Sequence, residues 1–170
     1  MPTSANNRAT TLPGKYYTDQ EIYDRESEKL FSRKWIYVGR EAAVKEAGDF
    51  FIHSQEGERI IIVRGGDGGL RAFFDLCRHR GTGLCSTDEG RFGKYITCPY
   101  HAWSYALDGE LVSAPNMDET EGFQKEDYPL KSVACRTLLG AVFINLCEDP
   151  LDFETLFTPL TEKFRPWGIA

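Results

Sequence analysis

The sequence predicts a mainly β protein, with an antiparallel sandwich or barrel-like core of short strands, a small loop-rich lobe and flanking helices. Three observations predict this fold class. Short β-branched or aromatic runs recur between turn residues. Glycine contributes 16 and proline 8 of the 170 residues, and aromatic residues make up 13%, which favours turn-rich β structure. A chain of this length buries roughly 70% of its extended-chain surface, enough for one core.

The N-terminal part is predicted to hold an arm, a helix and the first strand. Residues 1–14 are polar and end in Pro-Gly, so we expect a flexible arm. The range 15–40 should contain the helix and the strand. Thr18 and Glu21 form a capping-box pattern with Thr18 as the N-cap, and the helix should run to about Lys34. Four apolar side chains of this helix should be buried: Ile22, Tyr23, Leu30 and Phe31.

The central range 41–150 is predicted to form the β core, with the lobe at about 75–106. The run Gly65–Gly69 lacks the glycine spacing of a phosphate-binding loop. Because strands flank it, we interpret it as a hairpin turn. The acidic segment 113–129 should be a solvated loop. Strands are predicted at Trp35–Gly39, Phe50–His53, Arg59–Arg64, Leu70–Asp75, Ser132–Arg136 and Leu139–Leu146.

The C-terminal range 151–170 is predicted to be a helical extension. Five apolar residues follow helical spacing: Phe153, Leu156, Phe157, Leu160 and Phe164. Pro159 falls inside this run and cannot donate a backbone hydrogen bond. We therefore expect two short helical pieces.

Charge and composition exclude several classes of partner. The net charge is −6, so neither nucleic acid nor an anionic membrane is expected as a partner. No apolar run approaches the ~20 residues of a membrane span, and the N-terminus lacks the apolar region of a secretory signal. Five cysteines without signs of export predict a reducing cytoplasm, where they serve as metal ligands or core residues.

Two short cysteine–histidine motifs carry the chemistry. They are Cys77-Arg78-His79 and Cys98-Pro99-Tyr100-His101, and eighteen residues separate them. A cysteine and a histidine two or three residues apart can reach one small metal centre from a single loop. Zinc would take all four side chains on one ion. A 2Fe–2S cluster would take both thiolates on one iron and both imidazoles on the other. The spacing by itself leaves both open.

The residues around these motifs resemble those of a known family. The stretches Cys77-Arg-His-Arg-Gly81 and Cys98-Pro-Tyr-His-Ala-Trp-Ser-Tyr105, followed by Asp-Gly, resemble the Rieske motif. The chain is most similar to the N-terminal domain of the α subunit, the terminal oxygenase, of Rieske non-haem iron oxygenases. The resemblance runs from about Leu12 to Trp167 and includes the Leu-Pro-Gly-Lys-Tyr-Tyr and Trp-Ile-Tyr-Val-Gly-Arg segments. It implies the Rieske iron–sulfur fold.

The resemblance implies a Rieske-type 2Fe–2S cluster. Cys77 and Cys98 match the ligands of its inner iron, and His79 and His101 match those of the outer iron. Two neutral imidazoles in place of thiolates make the cluster less negative, which raises its potential to ~−150 to +300 mV, against ~−400 mV for plant-type clusters. The resemblance also implies that further residues surround the cluster: Arg80, Gly81, Gly83, Tyr100 and Trp103.

These surrounding residues have alternative roles. Peptide N–H groups near Gly81 and Gly83 could bond to the cluster sulfides, since glycine lets the chain approach closely. Trp103 either forms a hydrophobic cover or tunes the cluster. Arg80 either forms a packing ion pair or contacts a partner. Remaining cysteines at 85, 135 and 147 are expected to be buried thiols.

Two departures from related patterns refine the resemblance. Respiratory-type Rieske proteins carry a cysteine in each loop where this chain has Thr82 and Tyr100, so the disulfide of that type is absent and the oxygenase type is favoured. Ala102 stands where many aromatic-ring dioxygenases have glycine. Similar sequences with this alanine and this N-terminus occur among oxygenases that act on quaternary ammonium compounds.

The implied function is one-electron transfer in an oxygenase system. A ferredoxin or a flavin/iron–sulfur reductase would be the donor, and the catalytic oxygenase domain, or a neighbouring α subunit, would be the acceptor. That domain's mononuclear non-haem Fe(II) needs two histidines and a carboxylate. His53 is the one histidine left, and we expect it to be structural, so these 170 residues should not be catalytically complete. The alternatives are a free-standing Rieske ferredoxin, which is usually shorter, and a structural zinc module.

Charge is unevenly distributed along the chain. Five basic and three acidic residues lie between Arg71 and His101, a net charge of +2, whereas the rest of the chain carries −8. We expect the loops around the two motifs to present a positive surface to an acidic redox partner.

Overall fold

The computed structural model describes residues 11–117 and 119–168, and over these residues the chain forms ten strands and two α-helices. The helices are α1 (Gln20–Glu26) and α2 (Phe153–Phe164). The strands are β1 (Ile36–Arg40), β2 (Asp49–Gln55), β3 (Glu58–Arg64), β4 (Leu70–Phe74), β5 (Glu89–Arg91), β6 (Tyr95–Thr97), β7 (Ser104–Ala106), β8 (Leu111–Ser113), β9 (Ser132–Leu138) and β10 (Ala141–Asn145). The predicted mainly β class is confirmed.

Two antiparallel sheets organise these strands. Seven strands form one sheet in the order β1-β10-β9-β4-β3-β2-β5, and three form a smaller sheet in the order β6-β7-β8. Strand β3 lies inside the sheet between β4 and β2, and its residues 60–63 are fully buried because both faces of the sheet are covered there. Burying one such aliphatic side chain contributes about 1.5–3 kcal/mol, so β3 anchors the fold.

The alternation of side chains along β3 divides the core in two. Ile60 and Ile62 face a cluster completed by β9 and β10, whereas Ile61 and Val63 face a cluster that includes Trp103 and residues of the small sheet. The second cluster therefore joins the large sheet to the lobe that carries the two cysteine–histidine motifs.

The glycine-rich run between β3 and β4 is a hairpin turn, as predicted. The peptide N–H of Gly65 donates to the carbonyl of Gly69 at 2.8 Å, and Gly68 donates back to Gly65 at 3.0 Å. Gly68 has φ +82°, which glycine adopts without strain. The guanidinium of Arg71 donates to both carboxylate oxygens of Asp67 at 2.8 Å. This exposed ion pair links the turn to β4.

The N-terminal helix differs from the prediction at its start. Asp19 is the N-cap: its Oδ1 accepts from the peptide N–H of Glu21 at 2.9 Å. The hydroxyl of Thr18 instead donates to the carbonyl of Gly14, where a 3₁₀ turn (Gly14–Tyr17) begins. That turn places Thr18 one residue too early to cap α1. Of the predicted arm 1–14, residues 1–10 lie outside the described residues.

The burial predicted for this helix was partly wrong. Helical structure continues beyond α1 through one wide turn to Phe31, and Ile22 and Phe31 are half-buried, but Tyr23 and Leu30 are 50% and 45% exposed. The helix rests on the β2–β3 hairpin turn through polar contacts. The amide of Gln55 on β2 donates to the carbonyl of Phe31, whereas Tyr23 and Leu30 remain exposed.

The C-terminal prediction of two short helical pieces was also wrong. α2 is one helix that runs through Pro159, followed by a 3₁₀ turn (Arg165–Trp167). A proline removes one backbone hydrogen bond, but the N-terminal half of α2 is held by packing. Phe153 is 3% exposed, and its ring centroid lies 5.0 Å from that of Trp35 and 5.5 Å from that of Phe143.

Among the described residues, no helix has the length and apolar character that a membrane crossing requires.

Candidate metal centre

The two cysteine–histidine motifs form two loops with the same backbone closure. We define loop 1 as Cys77–Thr82 and loop 2 as Cys98–Trp103. In each loop the cysteine carbonyl accepts from the peptide N–H four residues on, at 2.9 and 3.1 Å. In each, the cysteine N–H donates to the carbonyl five residues on, at 2.8 Å. The motifs thus fold as two copies of one tight turn.

The matching closure requires one unusual backbone conformation per loop. The fourth residue after the cysteine has a left-handed backbone: Gly81 has φ +71° and Ala102 has φ +58°. Glycine adopts this conformation freely, whereas a Cβ makes it cost roughly 1–2 kcal/mol. The geometry therefore explains why glycine suits the position of Ala102 and shows that loop 2 carries backbone strain.

The loops bring the two thiols together below the surface. Cys77 and Cys98 are each 3% exposed, and the Cys98 side chain lies beside that of Cys77. Burial, above all, raises the pKa of the Cys77 thiol, although a hydrogen bond with Tyr105 acts in the opposite direction. Two adjoining, water-excluded sulfurs are the donor pair that a soft metal ion selects.

The two imidazoles form a second pair that is closer to solvent. The rings of His79 and His101 have centroids 4.8 Å apart and planes at 66°, and both side chains are half-buried. Partial burial, the charge of Arg80 and the proximity of His101 lower the pKa of His79, so the neutral, ligand-competent form is favoured.

An unsatisfied buried atom points to a missing ligand at this place. Nδ1 of His101 is buried and has no hydrogen-bond partner, whereas buried polar atoms in folded proteins are nearly always bonded. Within residues 11–117 and 119–168, no three histidine, cysteine or carboxylate side chains converge as one metal ion would require. Two thiols on one side and two imidazoles on the other are a donor set that fits a 2Fe–2S cluster, with one pair per iron.

Aromatic rings fix the planes of both imidazoles. Trp103, 2% exposed, stacks on His79 with ring centroids 4.8 Å apart and planes at 9°. Tyr100 covers His101 at 3.8 Å but is 61% exposed. Stacking of this kind restricts ring rotation. Trp103 thus packs inside the lobe, and Tyr100 lies on its surface.

The acidic segment 113–129 is not simply the solvated loop that was predicted. Phe123 and Tyr128 are half-buried, and each ring lies 5.7 Å from that of Trp103. The acidic composition of the segment gives no sign of these two packed aromatics. Its described acidic residues are exposed: Glu119, Glu121, Glu126 and Asp127. The segment therefore covers the buried face of the candidate site.

Tyr105 links the two loops. Its hydroxyl lies 3.3 Å from Sγ of Cys77 and accepts from the peptide N–H of Arg78 at 3.0 Å. Because the N–H can only donate, the hydroxyl proton is free to point at the sulfur. Burial and the neighbouring thiol raise the pKa of Tyr105. The hydroxyl therefore remains protonated and acts as a donor.

Asp75 is a site-adjacent residue that was not among those predicted from the sequence. Its residue exposure is 2%, and its Oδ1 accepts from the peptide N–H groups of Leu84 and Cys85 at 2.7 and 3.0 Å. The available signal was a carboxylate directly after the apolar end of β4, two residues before Cys77. A charge in that position has to be paired if it is buried.

Other residues predicted around the site lie as follows. Arg80 is exposed and makes no ion pair with a described residue, and Gly81 is exposed at the tip of loop 1. Gly83 lies against Asp75, since a Cβ added to it would be 3.8 Å from Oδ2. His53 lies on β2, where its Nε2 is 3.1 Å from Oε1 of Gln55, apart from the imidazole pair.

The three remaining cysteines are half-buried rather than fully buried. Burial raises the pKa of Cys85 to about 12, with Asp75 adding to the effect. Burial likewise raises the pKa of Cys135 to about 11. Both therefore remain protonated thiols at neutral pH, which fits a packing role.

Comparison with known proteins places these loops in a family. The family model of the Rieske [2Fe-2S] domain matches residues 34–133. The carnitine monooxygenase oxygenase subunit of Acinetobacter pittii is 37% identical over 157 residues, which are 92% of this chain and 42% of that protein. The biphenyl 2,3-dioxygenase α subunit of Rhodococcus jostii is 35% identical over 151 residues, 88% of this chain and 33% of that protein.

Solved structures agree with these relatives. A quaternary ammonium Rieske monooxygenase, solved in its apo form, superposes with a TM-score of 0.84 at 35% identity, covering 92% of this chain and 45% of that one. Naphthalene 1,2-dioxygenase from Rhodococcus sp. superposes with a TM-score of 0.81 at 27% identity, covering 88% of this chain and 34% of that one. The chain thus spans less than half the length of the relatives it matches.

Proposed function

The chain belongs to the Rieske [2Fe-2S] domain family, and from this premise we propose that it holds its 2Fe–2S cluster through four side chains of loops 1 and 2. Cys77 and Cys98 would bind one iron, and His79 and His101 the other. The observation that carries this assignment is the pairing of donors: adjoining buried thiols on one side, and two imidazoles 4.8 Å apart on the other.

The surrounding residues determine from which side electrons can reach the proposed site. When bound, the cluster supplies one-electron transfer at the raised potential typical of mixed nitrogen and sulfur ligation. The thiol side is closed to water, because both cysteines are 3% exposed. The imidazole side is half-buried and adjoins the exposed ring of Tyr100. Electrons would therefore enter and leave through the histidine edge.

We place this domain in a terminal oxygenase system. The relatives that match it include the oxygenase subunit of a carnitine monooxygenase and the α subunit of a biphenyl 2,3-dioxygenase, and the Rieske model matches residues 34–133 of this chain. A ferredoxin or a flavin/iron–sulfur reductase would donate the electron. The acceptor would be a mononuclear non-haem iron in a catalytic domain or a neighbouring α subunit, since His53 is the one histidine outside the imidazole pair.

The free-standing ferredoxin alternative is less well supported. The chain has helices α1 and α2, which such ferredoxins usually lack, and its match to the carnitine monooxygenase subunit covers 92% of this chain. The cytoplasm remains the proposed compartment, because the described cysteines are all free thiols.

Part of the positive charge predicted around the motifs lies next to His79, and Lys94 is a further exposed cation without an ion pair to a described residue. Arg71 and Arg91 are neutralised by Asp67 and Asp49, whereas Arg78 and Arg80 make no ion pair with a described residue. We propose that these two arginines attract an acidic electron donor.

Metal analysis tests the proposed cofactor, and reduction kinetics test the proposed dock. The purified chain should contain equal amounts of iron and acid-labile sulfide; zinc without sulfide would overturn the proposal.

Arg80→Glu should slow reduction by an acidic ferredoxin at low salt, and the difference in rate from the unmodified chain should shrink as salt rises. Arg136→Glu, an exposed position on β9, is the matched control. Equal slowing by both variants would contradict a specific dock.

A further inference from the structure

Loop 1 lacks the strand support that loop 2 has. Loop 2 lies between β6 and β7, which pair directly at its base through Thr97 and Ser104. β4 ends before loop 1, and the next strand, β5, pairs with β2 instead. No backbone ladder between described strands therefore closes loop 1 at its base.

The carboxylate of Asp75 takes the place of that ladder. Asp75 lies two residues before Cys77, and its Oδ1 accepts from Leu84 and Cys85, which follow loop 1. Two backbone N–H groups that a partner strand would otherwise satisfy are thus bonded to one side chain. These contacts join the segment entering loop 1 to the segment leaving it.

The same carboxylate is a buried charge. Its side chain is 1% exposed, and Oδ2 accepts from Nε of Arg59 at 3.0 Å. Arg59 is itself 42% exposed and is shared with Asp88 at 3.1 Å. The negative charge on the protein side of loop 1 is therefore compensated only in part, by a cation that faces water.

We propose that Asp75 is a positioning residue of the metal centre: its carboxylate closes loop 1, and its negative charge lowers the reduction potential of the cluster. The inference rests on the proposed function. Reduction adds one negative charge to the centre, so a fixed negative charge nearby disfavours the reduced state. Arg59 acts in the opposite direction.

The test uses a substitution that keeps the shape of Asp75 and removes its charge. Asp75→Asn retains an oxygen for Leu84 and Cys85, so the cluster should stay bound. Its reduction equilibrium constant should rise about tenfold, which is 59 mV for a one-electron couple. Asp75→Ala removes the acceptor as well, and its cluster should be lost several-fold faster to a chelator.

Asp49 provides a matched control. Its carboxylate also accepts from two backbone N–H groups, those of Lys45 and Glu46, and from an arginine, Arg91. Asp49 lies on β2, outside both loops. Asp49→Asn should therefore leave the reduction potential and the rate of cluster loss unchanged.

Replacing Arg59 should shift the reduction potential in the direction opposite to Asp75→Asn. Arg59→Gln leaves the charge of Asp75 uncompensated, so the potential should fall, while Arg91→Gln should leave it unchanged. A purely structural role for Asp75 would not shift the potential in opposite directions in the two variants. If Asp75→Asn and Arg59→Gln both match the unmodified chain in potential, the inference is overturned. If the unmodified chain binds no iron and sulfide, the proposed function itself fails.

Discussion

Loops 1 and 2 have the same backbone turn but are supported in different ways. Loop 2 is the end of a hairpin, held by the pairing of β6 with β7. Loop 1 is held by side chains: Asp75 at its base and the Tyr105 hydroxyl at Cys77. Loop 2 is therefore specified by backbone pairing of adjacent strands, whereas loop 1 depends on the individual side chains of Asp75 and Tyr105. Single substitutions should therefore disturb loop 1 more readily than loop 2.

The largest expected effect is loss of the cluster, and it should be the same for a histidine of either loop. Replacing His79 or His101 by alanine removes one nitrogen donor from either loop, and both variants should lose most of the bound cluster because each iron needs its full ligand set. His53→Ala removes the histidine on β2 and should keep the cluster. Iron and sulfide content with visible absorption measures this. Retention of the full iron complement in both loop variants would contradict the ligand assignment.

A smaller effect, on the reduction potential, is expected from a hydrogen bond that only loop 1 has. Tyr105→Phe removes the hydroxyl that bonds to Cys77 in loop 1, while the ring that fills the core remains. Hydrogen bonds to a ligating sulfur stabilise the more negative, reduced state. The reduction equilibrium constant should therefore fall several-fold, by at most about tenfold, or ~59 mV for one electron.

Tyr128→Phe is the control for this variant. The Tyr128 ring also packs in the lobe, 5.7 Å from Trp103, but its hydroxyl makes no hydrogen bond to a described residue. Its potential should match that of the unmodified chain in a redox titration. Equal shifts in both variants would mean that the Tyr105 hydroxyl has no specific effect on the centre.

The smallest effect concerns the left-handed position shared by the loops. Gly81→Ala in loop 1 should lower the free energy of unfolding by about 1 kcal/mol, because it introduces a Cβ at φ +71°. Ala102→Gly in loop 2 should raise it by up to about 1 kcal/mol, since strain is relieved but chain entropy is added. Denaturant unfolding of the two variants measures both. Changes of the same sign would show that the two turns are not equivalent.

Local patterns in the sequence predicted much of this structure. The spacing of Cys77 with His79 and of Cys98 with His101 predicted two loops that carry the same kind of donors. Alternation and turn residues predicted the six longer strands and the hairpin at Gly65–Gly69. Each of these features depends on residues close together in the chain, which is why a single sequence reveals them.

The features that were not predicted depend on side-chain contacts that no regular spacing in the sequence specifies. A carboxylate after the end of β4 signals that Asp75 needs partners but does not identify Leu84 and Cys85 as its donors, and the acidic segment does not identify Phe123 as a neighbour of Trp103. The continuous helix α2 has the same explanation: a proline disfavours it locally, but packing of Phe153 outweighs the lost bond.

Electron paramagnetic resonance of the reduced protein, grown with natural-abundance or nitrogen-15 histidine, tests the unequal ligation of the two irons most directly. We expect an average g-value below that of an all-cysteine 2Fe–2S cluster, because imidazole donates less electron density than thiolate. We also expect nitrogen couplings that change on isotopic substitution of histidine. A g-value typical of four-cysteine ligation, with no histidine nitrogen coupling, would contradict the account.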